Sequence, residues 1–127
     1  LPALAPNFHR HCAFVEKECT FIAWDGSVHP CYYLWHTYSS WRKGQRKPLQ
    51  SKVFGHLDRE GLETIWNSSE YRSFRGQALS YEYPYCWECT FFPCNLVDSL
   101  PFETDCYTLT VPCGDCPWNL GVVQCLL

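Results

Sequence analysis

The sequence predicts an α+β fold: a small N-terminal β-hairpin, one or two helices around residues 58–79, and a loop-rich C-terminal half ligated through its cysteines. Three observations carry this prediction. Aromatic and β-branched runs flank an Asp25-Gly26 step. A helical spacing of apolar residues follows in the middle of the chain. Seven of the ten cysteines then fall after residue 80, where that spacing stops.

Residues 1–11, with Pro2, Pro6 and no periodicity, read as a linker from a domain lying N-terminal to them, which leaves 12–127 as the domain proper. The runs CAFVEKECTFIAW and SVHPCYYLW read as β-rich, and Asp-Gly between such runs is a strong hairpin signal. The polar, basic stretch SSWRKGQRKPLQSK (39–52), broken by Gly44 and Pro48, reads as a surface loop. In the next stretch Asp58 is placed to cap a helix bearing Leu62, Ile65 and Trp66 on one face. Asn67-Ser68-Ser69 interrupts that helix and caps a second, in which Tyr71, Phe74 and Ala78 keep the spacing. After Leu79 the chain is aromatic and proline-rich. So long a stretch without regular elements is hard to stabilise by burial alone. Covalent or coordinate bonds are the means left to hold it.

The 127 residues fit one domain, and 46% hydrophobic with 17% aromatic residues supply a modest core. A net charge of −3 makes no case for nucleic acid as partner. No apolar run approaches the length that crosses a membrane, and LPALAPNFHR has neither the basic nor the apolar region of a secretory signal. With Leu at position 1 and no Met, the chain reads as processed or as part of something longer, and a cytoplasmic location is expected.

The candidate metal ligands are Cys12, Cys19, Cys31, Cys86, Cys89, Cys94, Cys106, Cys113, Cys116 and Cys125. Cys86/Cys89 and Cys113/Cys116 form two Cys-x2-Cys pairs, each followed by a further cysteine, and that spacing lets two sulfurs face one centre. Ten thiols overshoot one zinc ion and suit two four-thiolate sites with two to spare. Prolines abut the ligands at Pro30, Pro93, Pro112 and Pro117, each fixing a turn. Gly114 leaves the amides of its own turn free to approach a cluster. Trp24, Trp87, Phe91, Phe92 and Trp118 read equally as a water-excluding shell or as ordinary core. Spacing alone favours an iron–sulfur site and leaves zinc and a secreted disulfide scaffold open.

The ordered pattern as a whole resembles the SPASM domain, the auxiliary-cluster domain of radical S-adenosylmethionine (radical SAM) enzymes that mature peptides and proteins. Cys12 is followed by thirteen residues, Gly26, four residues and Cys31, and then by LETIWNSSEYRSFR and a downstream cysteine cluster. The segments WDGSVHPC, FGHLD and CPWNLGVVQC look most like a subgroup linked to tungsten-cofactor enzyme maturation. The resemblance implies two [4Fe-4S] clusters that pass electrons and help form a substrate pocket. It also implies a radical SAM barrel as the N-terminal partner domain, S-adenosylmethionine bound only there, and a peptide, protein or cofactor precursor as substrate. The pattern departs from the family at two places. Four residues rather than five separate Cys89 from Cys94, and Asp98 stands where a further cysteine belongs. The expected division puts Cys12 or Cys19 with Cys31 and the Cys86/Cys89/Cys94 group, and Cys106, Cys113, Cys116 and Cys125 together.

No Cys-x3-Cys-x2-Cys motif occurs, so the chain by itself lacks the cluster that cleaves S-adenosylmethionine. Asp98 reads as a solvated loop residue rather than an oxygen ligand. His29 and His36 flank Cys31, and a hydrogen-bonded hairpin histidine is favoured over a ligand. Arg42, Lys43, Arg46, Lys47 and Lys52 read as a solvated basic loop, and Arg72 and Arg75 as salt-bridging helix residues. No Ser/His/Asp set, phosphate loop or carboxylate pair is present in the sequence pattern.

Overall fold

One turn of helix, not the expected strand, starts the domain. In this computed structural model, which describes residues 6, 9–42, 44–91 and 105–127, Ala13–Glu16 form α1, with Cys12 at its N-cap. Ala13 and Phe14 are buried. Glu18 then takes a left-handed conformation (φ 53°), and the Cys19 amide turns back to the Phe14 carbonyl at 2.7 Å. A single turn is too short to show in periodicity.

The Asp25-Gly26 hairpin forms as expected. β1 (Phe21–Ile22) pairs antiparallel with β2 (Ser27–His29), placing Phe21 opposite His29 and Ile22 opposite Val28. Gly26 has φ +83°, the left-handed region that the turn needs and that a side chain would resist. Asp25 Oδ1 accepts from the Ser27 amide at 3.0 Å and from its hydroxyl at 2.6 Å, which fixes the turn.

The stretch expected as a surface loop is a second hairpin. β3 (Tyr38–Arg42) pairs with β4 (Gln45–Leu49), Tyr38 opposite Leu49 and Ser39 opposite Pro48. In a two-stranded sheet each strand is an edge, which is where a strand tolerates proline. β5 (Gly55–His56) completes the first sheet on the free side of β2, giving the order β1-β2-β5.

α2 (Leu62–Trp66) begins after Gly61, so Asp58 does not cap it. The amides of Arg59 and Glu60 both turn onto the His56 carbonyl, and Asp58 lies inside that turn, upstream of the helix's open amides. α3 (Ser69–Ser80) is capped as predicted: the Ser68 hydroxyl accepts from the Tyr71 amide at 3.3 Å. Its face of Tyr71, Phe74 and Ala78 is buried. Phe54 stacks on Tyr71 with 4.0 Å between centroids and meets Phe74 edge-on at 5.4 Å. Val28, Leu34, Leu49 and Ile65 complete the core, each fully buried and each contributing roughly 1.5–3 kcal/mol. Arg75 lies over the Trp66 ring, 3.8 Å from its centroid, and donates to the Trp66 carbonyl at 2.8 Å, rather than serving only as a salt-bridging residue.

Past Tyr81 the described residues hold one regular element, the 3₁₀ turn Pro112–Asp115, with proline at its start. Val111 and Leu120 are buried on either side of it. The N-terminal segment is tied to this region: the Arg10 guanidinium donates to the carbonyls of Tyr83 and Tyr81, and the His11 amide to Asn119 O at 3.2 Å. The fold is α+β, and among the described residues no helix is long and apolar enough to cross a membrane.

Candidate metal centre

Four cysteines from three separate segments lie within electrostatic reach of one another. Cys12 stands at the start of α1, Cys31 lies just past β2, Cys113 lies within the 3₁₀ turn and Cys116 is its C-cap. Burial is the main influence on each. It pushes the Cys31 thiol up to about 12, drives Cys113 and Cys116 well above the ordinary cysteine range, and raises Cys12. The four also act on one another. A charge on Cys12 raises Cys31, and charges on Cys31 and Cys12 raise both Cys113 and Cys116. Cys125 joins from the rim, acting on Cys12 and Cys31, with its Sγ 2.6 Å from Tyr32 Oη.

Tyrosines close over this group. Burial holds Tyr33 well above its ordinary range, and the charges of Asp115, Cys116 and Cys113 add to that. Tyr38 is pushed up to about 12, first by burial and then by Cys116 and Cys31. Trp118 packs against Tyr32 and Tyr33 with centroids 5.3 and 5.8 Å away. Of the aromatics the sequence offered as a shell, Trp118 serves, whereas Trp24 is 94% and Phe91 83% exposed and neither can exclude water. Phe92 lies outside the described residues. The rings that do surround the thiols follow Cys31 directly in the sequence Cys-Tyr-Tyr.

A second set gathers around Cys86. The Cys89 amide turns onto the Cys86 carbonyl at 3.3 Å, the tight geometry expected of Cys-x2-Cys. Burial pushes Cys86 up to about 11; the Lys47 ammonium opposes this, and Asp115, Cys106 and Cys89 add to it. Cys94 and Asp98 lie outside the described residues. The two sets share a wall. The Cys86 amide donates to Gly114 O at 3.0 Å, and a Cβ on Gly114 would stand 2.3 Å from the Pro84 carbonyl oxygen and 3.0 Å from Cys86 Sγ. Close approach, not a left-handed backbone, is what glycine permits here.

By mutual influence, the described cysteines fall into two neighbourhoods that differ from the expected division of ligands. Cys113 and Cys116 go with Cys12 and Cys31, and Cys106 goes with Cys86 and Cys89. Cys19 is joined to neither set: its thiol donates to the Lys17 carbonyl at 3.4 Å. His29 is buried and fully used, with Nδ1 2.8 Å from the Lys52 carbonyl oxygen and Nε2 2.8 Å from Ser27 Oγ, the hairpin role favoured from the sequence. His36 is exposed and stacks on Tyr38, centroids 4.8 Å apart.

Lys47 corrects the reading of its stretch as a solvated basic face. It is buried and pairs with Asp115 at 2.8 Å, while Lys52 makes a partly exposed pair with Glu70. The sequence signal was present in Cys-Gly-Asp-Cys, where a carboxylate inside a tight Cys-x2-Cys turn needs a cation once it is buried.

Cys12, Cys19, Cys31, Cys89, Cys113, Cys116 and Cys125 carry free thiols. Among the described residues no three His, Cys, Asp or Glu side chains converge on a single point. The donor set fits a metal group bound through sulfur. These thiols are held in the neutral form by burial, and as thiolates they would need a cation to replace lost water, which metal binding supplies as the protons leave.

Comparisons with known proteins agree with this chemistry. The family described as SPASM, an iron–sulfur cluster-binding domain, matches residues 12–90. The tungsten-containing aldehyde ferredoxin oxidoreductase cofactor-modifying protein of Pyrococcus furiosus is 34% identical over 126 residues, an alignment covering 98% of this chain and 35% of that protein. The chain therefore spans about a third of that relative's length. No solved structure matches it.

Proposed function

This chain belongs to the SPASM family of iron–sulfur cluster-binding domains, and from that premise we propose that it holds two [4Fe-4S] clusters for a radical SAM maturation enzyme. Cys12, Cys31, Cys113 and Cys116 hold one cluster. Cys86, Cys89 and Cys106 hold the other, with Cys94 as fourth ligand. The observation that supports this reading is the gathering of four thiols drawn from three separate segments, each within electrostatic reach of others in the group.

When bound, such clusters supply one-electron transfer at a potential set by burial, charge and hydrogen bonds to sulfur. The chain's own residues provide the rest. The cysteines give up their protons on binding, and Tyr33, Tyr38 and Trp118 keep water from the first set. A broad cleft of about 590 Å³ opens beside Tyr32, lined by Trp35, His36, Tyr38 and Trp118, and offers a face for substrate positioning. The relative's printed name, a cofactor-modifying protein, supports a cofactor precursor as the substrate class. The step that cleaves S-adenosylmethionine belongs to an N-terminal barrel domain, since this chain has no Cys-x3-Cys-x2-Cys motif. Free thiols in this number suit the reducing cytoplasm.

Iron and sulfide analysis of anaerobically reconstituted protein tests the proposal. The expected result is a brown protein with about eight irons per chain, four for each cluster. Cys31→Ser and Cys89→Ser should each remove about half of that iron, and Cys19→Ser none. A colourless protein carrying stoichiometric zinc would overturn the assignment.

A further inference from the structure

We propose that Tyr81 is a positioning residue for the first thiol set: its hydroxyl holds the backbone of Cys12 in the place from which that thiol joins Cys31, Cys113 and Cys116. The inference rests on the reading above that Cys12 is a ligand, and it adds a residue that is neither a cysteine nor one of the rings around the thiols.

The need arises in α1. Its four residues make a single turn, too short to hold itself in helical form. The amide of an N-cap residue is ordinarily taken by a glutamate or glutamine three residues further on. That position is Val15, whose side chain has no acceptor. Glu16, one residue beyond it, is brought into play by Tyr81 instead. Tyr81 Oη accepts from the Cys12 amide at 3.0 Å and donates to Glu16 Oε1. The other carboxylate oxygen, Oε2, lies 2.7 Å from His11 Nδ1. A cap that the local sequence lacks is thus completed by a hydroxyl from the far end of α3.

The backbone of Tyr81 points the same way. It is left-handed (φ 55°, ψ 19°) at the C-cap of α3. Glycine or asparagine is usual where a helix ends so, and the Cβ of tyrosine is strained there. Ending α3 is therefore no reason for a tyrosine, and residues held in such conformations gather where a protein does its work. The side chain supplies the reason, because it crosses from α3 to α1. Arg10 reinforces the crossing, since its guanidinium donates to the Tyr81 carbonyl at 3.2 Å and to that of Tyr83. Tyr81 thus engages the chain at Arg10 through its carbonyl and at Cys12 through its hydroxyl. Without the hydroxyl the Cys12 amide loses its acceptor, α1 loosens, and one thiol of the set is held less firmly.

The test is chelator-driven iron release from the anaerobically reconstituted chain, followed by EPR, in Tyr81→Phe, Glu16→Ala and the double variant. The signals lost in Cys31→Ser and in Cys89→Ser identify the first and second sets. Tyr81→Phe keeps the ring and the backbone and removes only the hydroxyl. It should release iron from the first set about tenfold faster, the worth of one or two hydrogen bonds. The line shape of that signal should change, while helix content and release from the second set stay as in the wild type. Hydrogen exchange over residues 10–16 should quicken in the same loaded variant. Glu16→Ala should act in the same direction but less strongly, and should add nothing to Tyr81→Phe, as groups in one chain of hydrogen bonds do. Wild-type release and line shape in Tyr81→Phe would overturn the inference. Equal acceleration at both sets would also overturn it and leave Tyr81 as a packing residue. A wild-type chain that binds no iron, or a Cys12→Ser chain that keeps the first signal, defeats the cluster reading and the inference with it. Both are seen before Tyr81 is changed.

Discussion

Residues 20–80 and residues 105–127 reach order by different means. The first region closes on hydrocarbon: Val28, Leu34, Leu49, Ile65, Tyr71, Phe74 and Ala78 are buried together, and α3 supplies twelve residues of self-satisfied backbone. The second has one four-residue 3₁₀ turn, and its buried side chains include Asp115, Asn119 and Cys116 beside Val111 and Leu120. Val111, Cys116 and Leu120, with Leu109 and Trp118 packed beside them, are few apolar anchors against the conformational entropy of a strap this long. On the proposed assignment, the metal's contribution to folding goes into the strap, which adds few side chains to the core.

The largest expected effect comes from metal removal. Anaerobic chelation should leave residues 81–127 open to protease while the helical circular dichroism of α2 and α3 survives. Equal resistance of the metal-free and loaded proteins would erase the distinction between the two regions. Next, Phe74→Ala should destabilise the hydrocarbon region by about 3–5 kcal/mol in urea unfolding, given its 5% exposure and its contact with Phe54. Iron content at low denaturant should fall only as the fold is lost. A smaller effect, about 1–3 kcal/mol, is expected from Gly114→Ala, whose Cβ would drive the turn from the Pro84 carbonyl. Its signature is the reverse of the core variant: iron loss in the folded state, read as decreased absorbance with helix content unchanged.

What the sequence disclosed follows the same division. α3 was legible because Ser68 offers its cap and Tyr71, Phe74 and Ala78 repeat at helical spacing, both local facts. The first hairpin was legible from Asp25-Gly26. The second was not, since Tyr38–Arg42 and Gln45–Leu49 are largely polar and lack the alternation that marks a half-buried strand. Ile65 was placed correctly on the buried face, but the helix start was put too early because the turn at 56–60 precedes it. Spacing marked the cysteines as candidate ligands, but it could not mark which of them lie near one another. Cys12 and Cys116 are brought together by tertiary packing, and no local pattern encodes which distant thiols face each other. Lys47 was misread for the same reason, because its partner lies 68 residues away.

The first thiol set has a consequence for the order of events at the ribosome. Cys12 and Cys31 are synthesised early, yet their companions Cys113 and Cys116 arrive only near the end of the chain. At ordinary elongation speeds the early pair waits on the order of ten seconds with no complete cage to enter. On the proposed assignment, iron insertion into this set is a post-translational event, and a nascent chain stalled short of Pro112 offers only half of the destination.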